Sequence, residues 1–322
     1  MSFRDVTSTT TSPSRTDPLV LGAMAVSMLF WASAFVGIRA VTGDIEPGAL
    51  ALGRLAVGAL ALGVFLAAQP RARGAMSRRQ LALAIGSGLT WFAIYAVALN
   101  TAEGTVEAGT AAMLVGTGPI FVVTLAGLFL GEGWPRRLFA GCGIALVGAV
   151  IIGLATSDGG AAESQVVGWG VILCVVAALA YAVGVTLQKP VLARVSALQV
   201  TFVACLAGAV ACLPFGPQLA SDLADAAPSS IAWLVYLGLF PTAVAFTTWS
   251  FALSRTRSGV LGSTTYVVPV LAIAMGWILL GEVVPPLAVV GGALCIGGVL
   301  VARSRVALRV SPRRRSGQTA EG

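Results

Sequence analysis

The chain has 322 residues, of which 57% are hydrophobic and only 10% are charged. A soluble globular domain carries about 25% charged residues, so this composition excludes a water-soluble protein and indicates an integral membrane protein. The formal net charge of +7 arises from basic residues in short connections and in a tail, which is typical of membrane topology rather than of nucleic-acid binding. The chain has no histidine, the usual imidazole metal ligand and general base near neutral pH.

Residues 1–17 are rich in Ser and Thr, and we expect a disordered cytoplasmic leader. A secretory signal would need a basic region directly before its apolar core and a small-residue cleavage site after it. Ten apolar runs follow, each long enough for the roughly 20 residues that cross a bilayer. They lie at about 19–41, 48–68, 80–99, 108–131, 137–156, 167–187, 198–216, 230–253, 259–281 and 286–303.

The basic residues orient these runs. With the N-terminus in the cytoplasm, only Arg39 and Arg54 of the 20 Lys and Arg residues fall on the outer half, which is a strong positive-inside bias. Arg39 and Lys189 end their runs, and we interpret them as interface anchors. Residues 304–322 form a basic tail, interpreted as a cytoplasmic topology anchor, with an anionic-lipid site as the alternative.

One long stretch occurs twice. Residues 109–152 align without a gap with residues 259–302, each position meeting the one 150 places later. Such a repeat indicates two structural copies. Because each copy holds five helices, an odd number, the second enters the membrane in the opposite sense. We therefore predict inverted repeats at residues 18–157 and 166–303.

Each copy has a proline near the middle of an apolar helix. Pro119 and Pro269 remove the backbone bonds to the carbonyls of Val115 and Thr265, and a freed carbonyl in hydrocarbon needs a new partner. Two kinks at equivalent places favour a substrate cavity near the middle of the membrane, with helix packing through small residues as the alternative. The small and hydroxylated candidates beside the kinks are Gly116, Thr117, Ser263, Thr264, Thr265 and Tyr266.

Three charged residues in or beside the apolar runs are open to two interpretations. Glu132 and Glu282 each end a helix and precede a proline by three residues. Because an acid is favourable at the N-terminus of a following helix, we interpret both as holding helix–helix corners, with proton coupling as the alternative. Arg54 lies about two turns into the second run, where a charge indicates function by default. Its alternative is to reach the outer interface and pair with Asp44 or Glu46.

Aromatic and polar side chains supply the remaining cavity candidates, on the first, third and sixth runs: Trp31, Ser33, Trp91, Tyr95 and Tyr181. The five cysteines lie inside apolar runs without CxxC spacing, and we expect neither a disulfide nor a metal site.

Taken in order, these residues resemble the EamA-type members of the drug/metabolite transporter superfamily. The resemblance spans residues ~19–303 and rests on the doubled Leu-Gly-Glu, the Trp-Ala-Ser-Ala-Phe of residues 31–35, Arg54, Pro119 and Pro269. It implies ten helices, both termini in the cytoplasm, a pore lined mainly by helices one, three, four, six, eight and nine, and export of amino acids, other small metabolites or toxic compounds. The chain departs from it at Ala204, where Arg54 is not duplicated, and in the longer link of helices three and four, which holds Glu103 and Glu107.

We therefore expect an all-α polytopic protein of the bacterial-type cell membrane, with ten transmembrane helices as two inverted repeats. The expected function is export of small organic metabolites by alternating access at a midplane cavity. Multidrug efflux or uptake by the same fold is the alternative, and a non-transporting receptor or scaffold is less favoured. An enzyme would need a catalytic set, and the runs hold no His and no mid-helix Asp or Glu. The expected partners are a small-molecule substrate, membrane lipids and, if transport is coupled, protons, with the protein a monomer or homodimer; no cofactor and no nucleic acid are expected.

Overall fold

The computed structural model describes residues 17–72, 74–105, 111, 114–155, 163–281 and 286–303. These residues form helices joined by turns, and no strand occurs among them. The first six helices are α1 (Pro18–Ala40), α2 (Pro47–Ala68), α3 (Arg78–Glu103), α4 (Gly118–Phe129), α5 (Arg136–Ala155) and α6 (Glu163–Leu192). They are followed by α7 (Ala197–Ala211), α8 (Gly216–Asp225), α9 (Pro228–Arg255), α10 (Ser258–Thr264), α11 (Val267–Met275) and α12 (Pro286–Arg303).

Each of the ten predicted apolar runs contains helix. Within the described part of the chain, six helices are long and apolar enough to cross a membrane, counting α10 and α11 as one, or seven if α7 and α8 form one bent span. The predicted run 198–216 does not continue straight, because the axis bends by 52° after α7. Pro214 lies in the short turn after the bend and Pro217 opens α8, and neither proline can supply the N–H that a continuous helix needs.

Local sequence rules explain where several helices begin. Asp17 accepts a hydrogen bond from the backbone N–H of Leu19 at 2.9 Å, and Pro18 occupies the first turn of α1. Ser77 and Gln80 form a reciprocal capping box at the start of α3. Ser196 caps α7 through the N–H of Gln199. These caps satisfy backbone donors that a helix start leaves without an internal partner.

Contacts at the centre of the fold relate residues that are 150 positions apart. The Sγ of Cys205 donates to the carbonyl of Leu55 at 3.4 Å, and the Sγ of Cys295 donates to the carbonyl of Ala145 at 3.3 Å. In each pair the two partners occupy equivalent places in the two copies. Equivalent residues that touch each other lie close to an axis of pseudo-symmetry. The first contact places this axis between α2 and α7, and the second places it where α5 crosses α12.

The π-helical turns inside α3 and α9 also occupy equivalent places, Gly88–Ile94 and Gly238–Val244. A Cβ added at Gly88 would lie 2.3 Å from the carbonyl oxygen of Ala204, and one at Gly238 would lie 2.8 Å from that of Arg54. Because any side chain would collide with the neighbouring backbone, both positions require glycine. Each π turn thus packs directly against a helix of the other half, and such turns are frequent at functional sites.

Helices α5 and α12 cross at two glycine contacts. A Cβ at Gly141 would lie 2.5 Å from the carbonyl oxygen of Gly298, and one at Gly148 would lie 2.5 Å from that of Gly291. The helix backbones therefore touch without intervening side chains, as at small-residue interfaces in membranes. Tyr266 packs at the same crossing, where its hydroxyl donates to the carbonyl of Cys142 at 3.3 Å.

This crossing gives a direct stability prediction. Gly148→Ala should lower the thermal unfolding temperature, because a methyl group at this place must push α5 and α12 apart. Overpacking of this kind costs about 1–3 kcal/mol. Gly143 on the same helix is the matched control, since nothing lies within 4 Å of its added Cβ, and Gly143→Ala should be neutral or slightly stabilising. Equal unfolding temperatures for the two purified variants would contradict the crossing.

Candidate functional site

A cavity of about 50 Å³ lies at the centre of the helices. Its walls come from both halves of the chain: Trp31, Ala34 and Phe35 of α1, Arg54 of α2, Tyr95 and Leu99 of α3, Val115 and Gly116 before α4, Tyr181 of α6, Phe246 of α9, and Thr265 and Val268 around the α10–α11 break. The structure thus brings six of the sequence candidates to one cavity: Trp31, Arg54, Tyr95, Gly116, Tyr181 and Thr265.

Aromatic rings close one side of this cavity. The ring centroid of Trp31 lies 4.9 Å from that of Trp249 and 5.3 Å from that of Phe246. Trp91 does not line the cavity but packs behind it, 5.1 Å from Tyr181. On α3 and α9, Trp91 and Trp249 lie about one turn beyond the lining residues, toward the end of the bundle where Lys189 is found (the Lys189 end). The aromatic layer therefore separates the cavity from the Lys189 end.

Two polar groups in this layer have no hydrogen-bond partner among the described residues: the indole Nε1 atoms of Trp31 and Trp249. The Tyr181 hydroxyl faces the Thr265 side chain without a hydrogen bond of good geometry. Buried donors in native proteins nearly always have a partner. A polar ligand or ordered water in the cavity would supply partners for Trp31 and Tyr181, which line it.

Arg54 supplies the positive charge of the cavity. Its side chain is 5% exposed, and its Nε donates to the Thr242 hydroxyl at 3.3 Å. Arg54 therefore belongs to the cavity wall.

Neither of the two acidic residues considered as interface partners of Arg54 lines its cavity. Asp44 accepts from the Ser230 hydroxyl at 2.6 Å, and the backbone N–H of Glu46 donates to Asp222 at 2.9 Å. Both acids belong to the connection of α1 and α2, away from the cavity walls. This arrangement supports the functional interpretation of Arg54 over the anchoring one.

Glu103 lies in an unexpected place. The sequence prediction puts it in the link between the third and fourth helices, but it is the last residue of α3 and is completely buried. The Nη1 of Arg39 donates to its carbonyl at 3.1 Å. In the equivalent contact 150 positions later, Lys189 donates to the carbonyl of Leu253. Arg39 and Lys189 therefore cap the C-termini of α3 and α9, where a cation is favourable, instead of serving only as interface anchors.

The other sequence candidates lie outside the cavity. Ser33 faces away on α1, where its hydroxyl is 2.7 Å from that of Tyr236 in a separate apolar groove. The prolines Pro119 and Pro269 are buried one to two residues into α4 and α11. Hydroxyl groups near them bond to carbonyls three residues earlier in the chain: Thr117, Ser263, Thr264 and Thr265. The helix breaks before the two prolines, at Gly116–Thr117 and Thr265–Tyr266, lie within one residue of equivalent places in the two copies.

Glu132 joins the two halves at the Lys189 end. Its carboxylate accepts from the backbone N–H groups of Ser258 and Gly259, at 2.8 and 3.2 Å, and so caps α10. The carboxylate therefore caps a helix 126 residues away, whereas the sequence analysis expected it at the start of the helix that follows. Glu282, its counterpart, lies outside the described residues.

This cap predicts a modest effect of Glu132→Gln. The amide keeps one acceptor oxygen but loses the charge that favours a helix N-terminus, so stability should fall by about 0.5–2 kcal/mol. We expect the pH dependence of transport to stay unchanged. Thermal unfolding and transport at several pH values measure the two effects. Loss of proton-driven accumulation in a Glu132→Gln protein of normal stability would instead assign proton coupling to this residue.

Known proteins resemble most of the chain. Residues 19–154 and 168–304 each match the EamA-like transporter family. A "Probable terminal-alkyne amino-acid exporter" of Streptantibioticus cattleyicolor is 37% identical over 283 residues, which cover 88% of this chain and 93% of that protein. A "Probable amino-acid metabolite efflux pump" of Salmonella typhimurium is 22% identical over 284 residues, covering 85% of this chain and 91% of the pump.

A solved crystal structure superimposes with a TM-score of 0.71 at 23% identity, covering 90% of this chain and 99% of that one. This likeness supports the helical fold alone. The family match extends over both copies of the repeat, and the apolar helices fit a multi-pass membrane protein. The chain is a member of the EamA-like transporter family.

Proposed function

We propose that this transporter exports amino acids or closely related metabolites that carry a carboxylate, and that the cavity around Arg54 is its substrate site. The observation that carries the proposal is a buried guanidinium within an aromatic cavity to which both halves contribute. The Streptantibioticus cattleyicolor protein, which is 37% identical over 88% of this chain, is named as an amino-acid exporter. The substrate of this chain would share that carboxylate and ammonium chemistry.

Each part of the cavity suits one part of such a substrate. The planar fork of a guanidinium matches a carboxylate and remains charged when buried. Trp31 and Tyr181 offer faces that attract an ammonium group and pack against apolar side chains. A cavity of about 50 Å³ holds only a few waters, so an amino acid requires an opening of the helices.

The proposed opening is a rocking movement of two inverted five-helix repeats, residues 18–157 and 166–303, against each other. In this proposal ten helices cross the membrane and both termini lie in the cytoplasm. The helix-capping contacts of Arg39 and Lys189 occupy equivalent places in the two copies. The contacts of Gly88 and Gly238 in the π turns, where each glycine lies close to the backbone of the other half, would be the pivots. Such a movement exposes the cavity to each side in turn, with no covalent step.

The proposed topology predicts a labelling pattern. Single cysteines at Ser254, near the Lys189 end, and at Asp225, at the opposite end of the bundle, should differ in intact cells. An impermeant thiol reagent should label Asp225→Cys and leave Ser254→Cys unlabelled until the cells are opened. The native cysteines are all buried and give little background. The reverse pattern would contradict the orientation.

The function itself is tested by counterflow. Purified protein in proteoliposomes preloaded with an unlabelled amino acid should accumulate the same radiolabelled amino acid, and empty liposomes should not. Exchange rates of each amino acid and of its decarboxylated amine, measured side by side, show whether transport requires the carboxylate. Exchange of amines as fast as of amino acids, or no exchange of any amino acid, would contradict the proposal.

The aromatic walls support a second candidate, efflux of cationic or aromatic compounds. Trp31, Tyr95, Tyr181 and Phe246 all line the cavity, and such rings bind organic cations. A lipophilic quaternary ammonium compound in the same counterflow panel separates the two candidates. Faster exchange of that compound than of any carboxylate would favour this second function.

A further inference from the structure

A second pocket, of about 270 Å³, opens at the end of the bundle where Arg39 lies (the Arg39 end). It is bounded by the connection between α1 and α2, by the last turns of α3 and by α8. On three helices it lies within one turn of the central cavity: Ile38 follows Phe35 on α1, Leu50 precedes Arg54 on α2, and Asn100 follows Leu99 on α3. One turn spans about 5 Å, so the two spaces are stacked along the bundle.

The pocket is rich in hydrogen-bond acceptors. Its lining residues include the acids Asp44, Glu46 and Asp222, and no Lys or Arg is among the described lining residues. Asp222 accepts from the N–H of Glu46 and from Gln218, and Asp44 accepts from Ser230. Each carboxylate oxygen has two lone pairs, so acceptor capacity remains. The nearest cation on an adjoining helix end, Arg39, bonds to the carbonyl of Glu103.

Asn100 provides independent evidence for a ligand. The residue is 3% exposed, and its Nδ2 donates to the carbonyl of Pro47 at 3.0 Å. Its Oδ1 has no hydrogen-bond partner among the described residues. Leaving a buried acceptor without a donor is costly, and Asn100 belongs to the pocket wall. This part of the pocket wall therefore lacks a hydrogen-bond donor, and three acidic residues lie beside it.

A primary ammonium group satisfies these requirements. It brings one positive charge and three N–H donors. A metal ion is a weaker match, because no group of three or more His, Cys, Asp or Glu in the described residues is arranged to hold one. The acids are spread around the pocket wall, which suits a cation with several divergent donors.

We propose that this acidic pocket binds the primary ammonium group of the transported solute, as a second station between the Arg54 cavity and the Arg39 end. The assignment of the ammonium to a transported solute rests on the proposed function. A zwitterion leaving the cavity would exchange its contact with the Arg54 cation for contacts with carboxylates one turn away. The pocket would then favour solutes that carry both charges.

Binding of methylammonium to the full-length protein in lipid nanodiscs tests the site without transport. Calorimetric titration should show saturable binding, and tetramethylammonium, which has the charge but no N–H donor, should bind at least about tenfold more weakly. Asp222→Asn keeps an oxygen for the N–H of Glu46 and should lower the affinity for methylammonium about tenfold. Asn100→Asp should raise this affinity. Asp225→Asn is the matched control, because this exposed acid of the same helix lies outside the pocket.

Several results would overturn the proposal: no saturable binding, equal binding of tetramethylammonium, the same affinity in Asp222→Asn as in the control, or tighter binding of Ca²⁺ at the same residues. Counterflow of amino acids that depends on Arg54, together with no methylammonium binding, would reject the pocket and leave the function intact. If Asp222→Asn weakens methylammonium binding but the protein exchanges no amino acid, the pocket is a cation site and its ligand is not a transported amino acid.

Discussion

Replacement of Gly116 by tryptophan is expected to abolish transport while the protein still folds. Gly116 lines the cavity in the turn before α4, and an indole at this place would fill a space of about 50 Å³. Because the turn lies at a helix break, the backbone there can shift to admit the indole without disrupting a continuous helix. Counterflow should fall to the level of empty liposomes, and size-exclusion chromatography should show the normal elution volume.

Two further variants keep this prediction falsifiable. Ala34→Leu narrows the cavity from α1 with a smaller group and should also stop exchange, even if Gly116→Trp folds poorly. Ser33→Leu is the matched control on the adjacent residue, because Ser33 points into the outer groove. Normal transport by a well-folded Ala34→Leu protein would place the substrate path elsewhere.

Arg54→Gln is expected to have the second large effect, on carboxylate substrates only. Removing one partner of a buried charge pair costs about 2–5 kcal/mol, which corresponds to a loss of roughly 30-fold to several thousandfold in kcat/KM. The kcat/KM of Arg54→Lys should lie between those of the unchanged protein and of Arg54→Gln, since an ammonium keeps the charge and loses the planar fork. Rates for an amino acid and for its decarboxylated amine, measured in each variant, give the comparison.

A selective loss is the informative outcome for Arg54. The Nε bond to Thr242 in the π turn of α9 also gives Arg54 a structural contact, so Thr242→Val serves as a control for that contact alone. If Arg54→Gln slows amino acids and amines equally, and Thr242→Val does the same, the residue acts by holding α2 against α9.

The repeat carried much of the predictive information in the sequence. Helix breaks precede Pro119 and Pro269, within one residue of equivalent places in the two copies. These breaks depend on backbone chemistry that is local to a proline. For that reason they can be predicted without knowledge of the tertiary structure.

Which side chains face the cavity could not be predicted in the same way. Successive residues on a helix point about 100° apart, so Thr265 lines the cavity while its neighbour Tyr266 packs against α5. Ser33 and Ala34 differ in the same manner. Close glycine contacts such as those of Gly88 and Gly238 join segments that are distant in the chain, and periodicity is weak where both faces of a helix are apolar.

The buried polar residues at the end of α3 show a second limit. Asn100 and Glu103 follow a long apolar run and precede a glycine, a pattern that also fits an exposed connection. Their burial results from the packing of α3 against the start of α2 and the end of α1, as the bonds from Asn100 to Pro47 and from Arg39 to Glu103 show. These contacts join segments 53 and 64 residues apart.

Substrate protection of a cysteine tests most directly whether the transported molecule occupies the cavity. The native cysteines are buried in the core, so Ala34→Cys and Ser33→Cys each add one thiol on α1, on the cavity side and on the groove side. Ala34 is 6% exposed, so alkylation of Ala34→Cys requires the same opening of the cavity as transport does. N-ethylmaleimide, which also enters membranes, reports both sites. We predict that a transported amino acid slows alkylation of Ala34→Cys in proportion to occupancy and leaves Ser33→Cys unchanged. Equal rates at Ala34→Cys with and without a transported substrate would contradict the account.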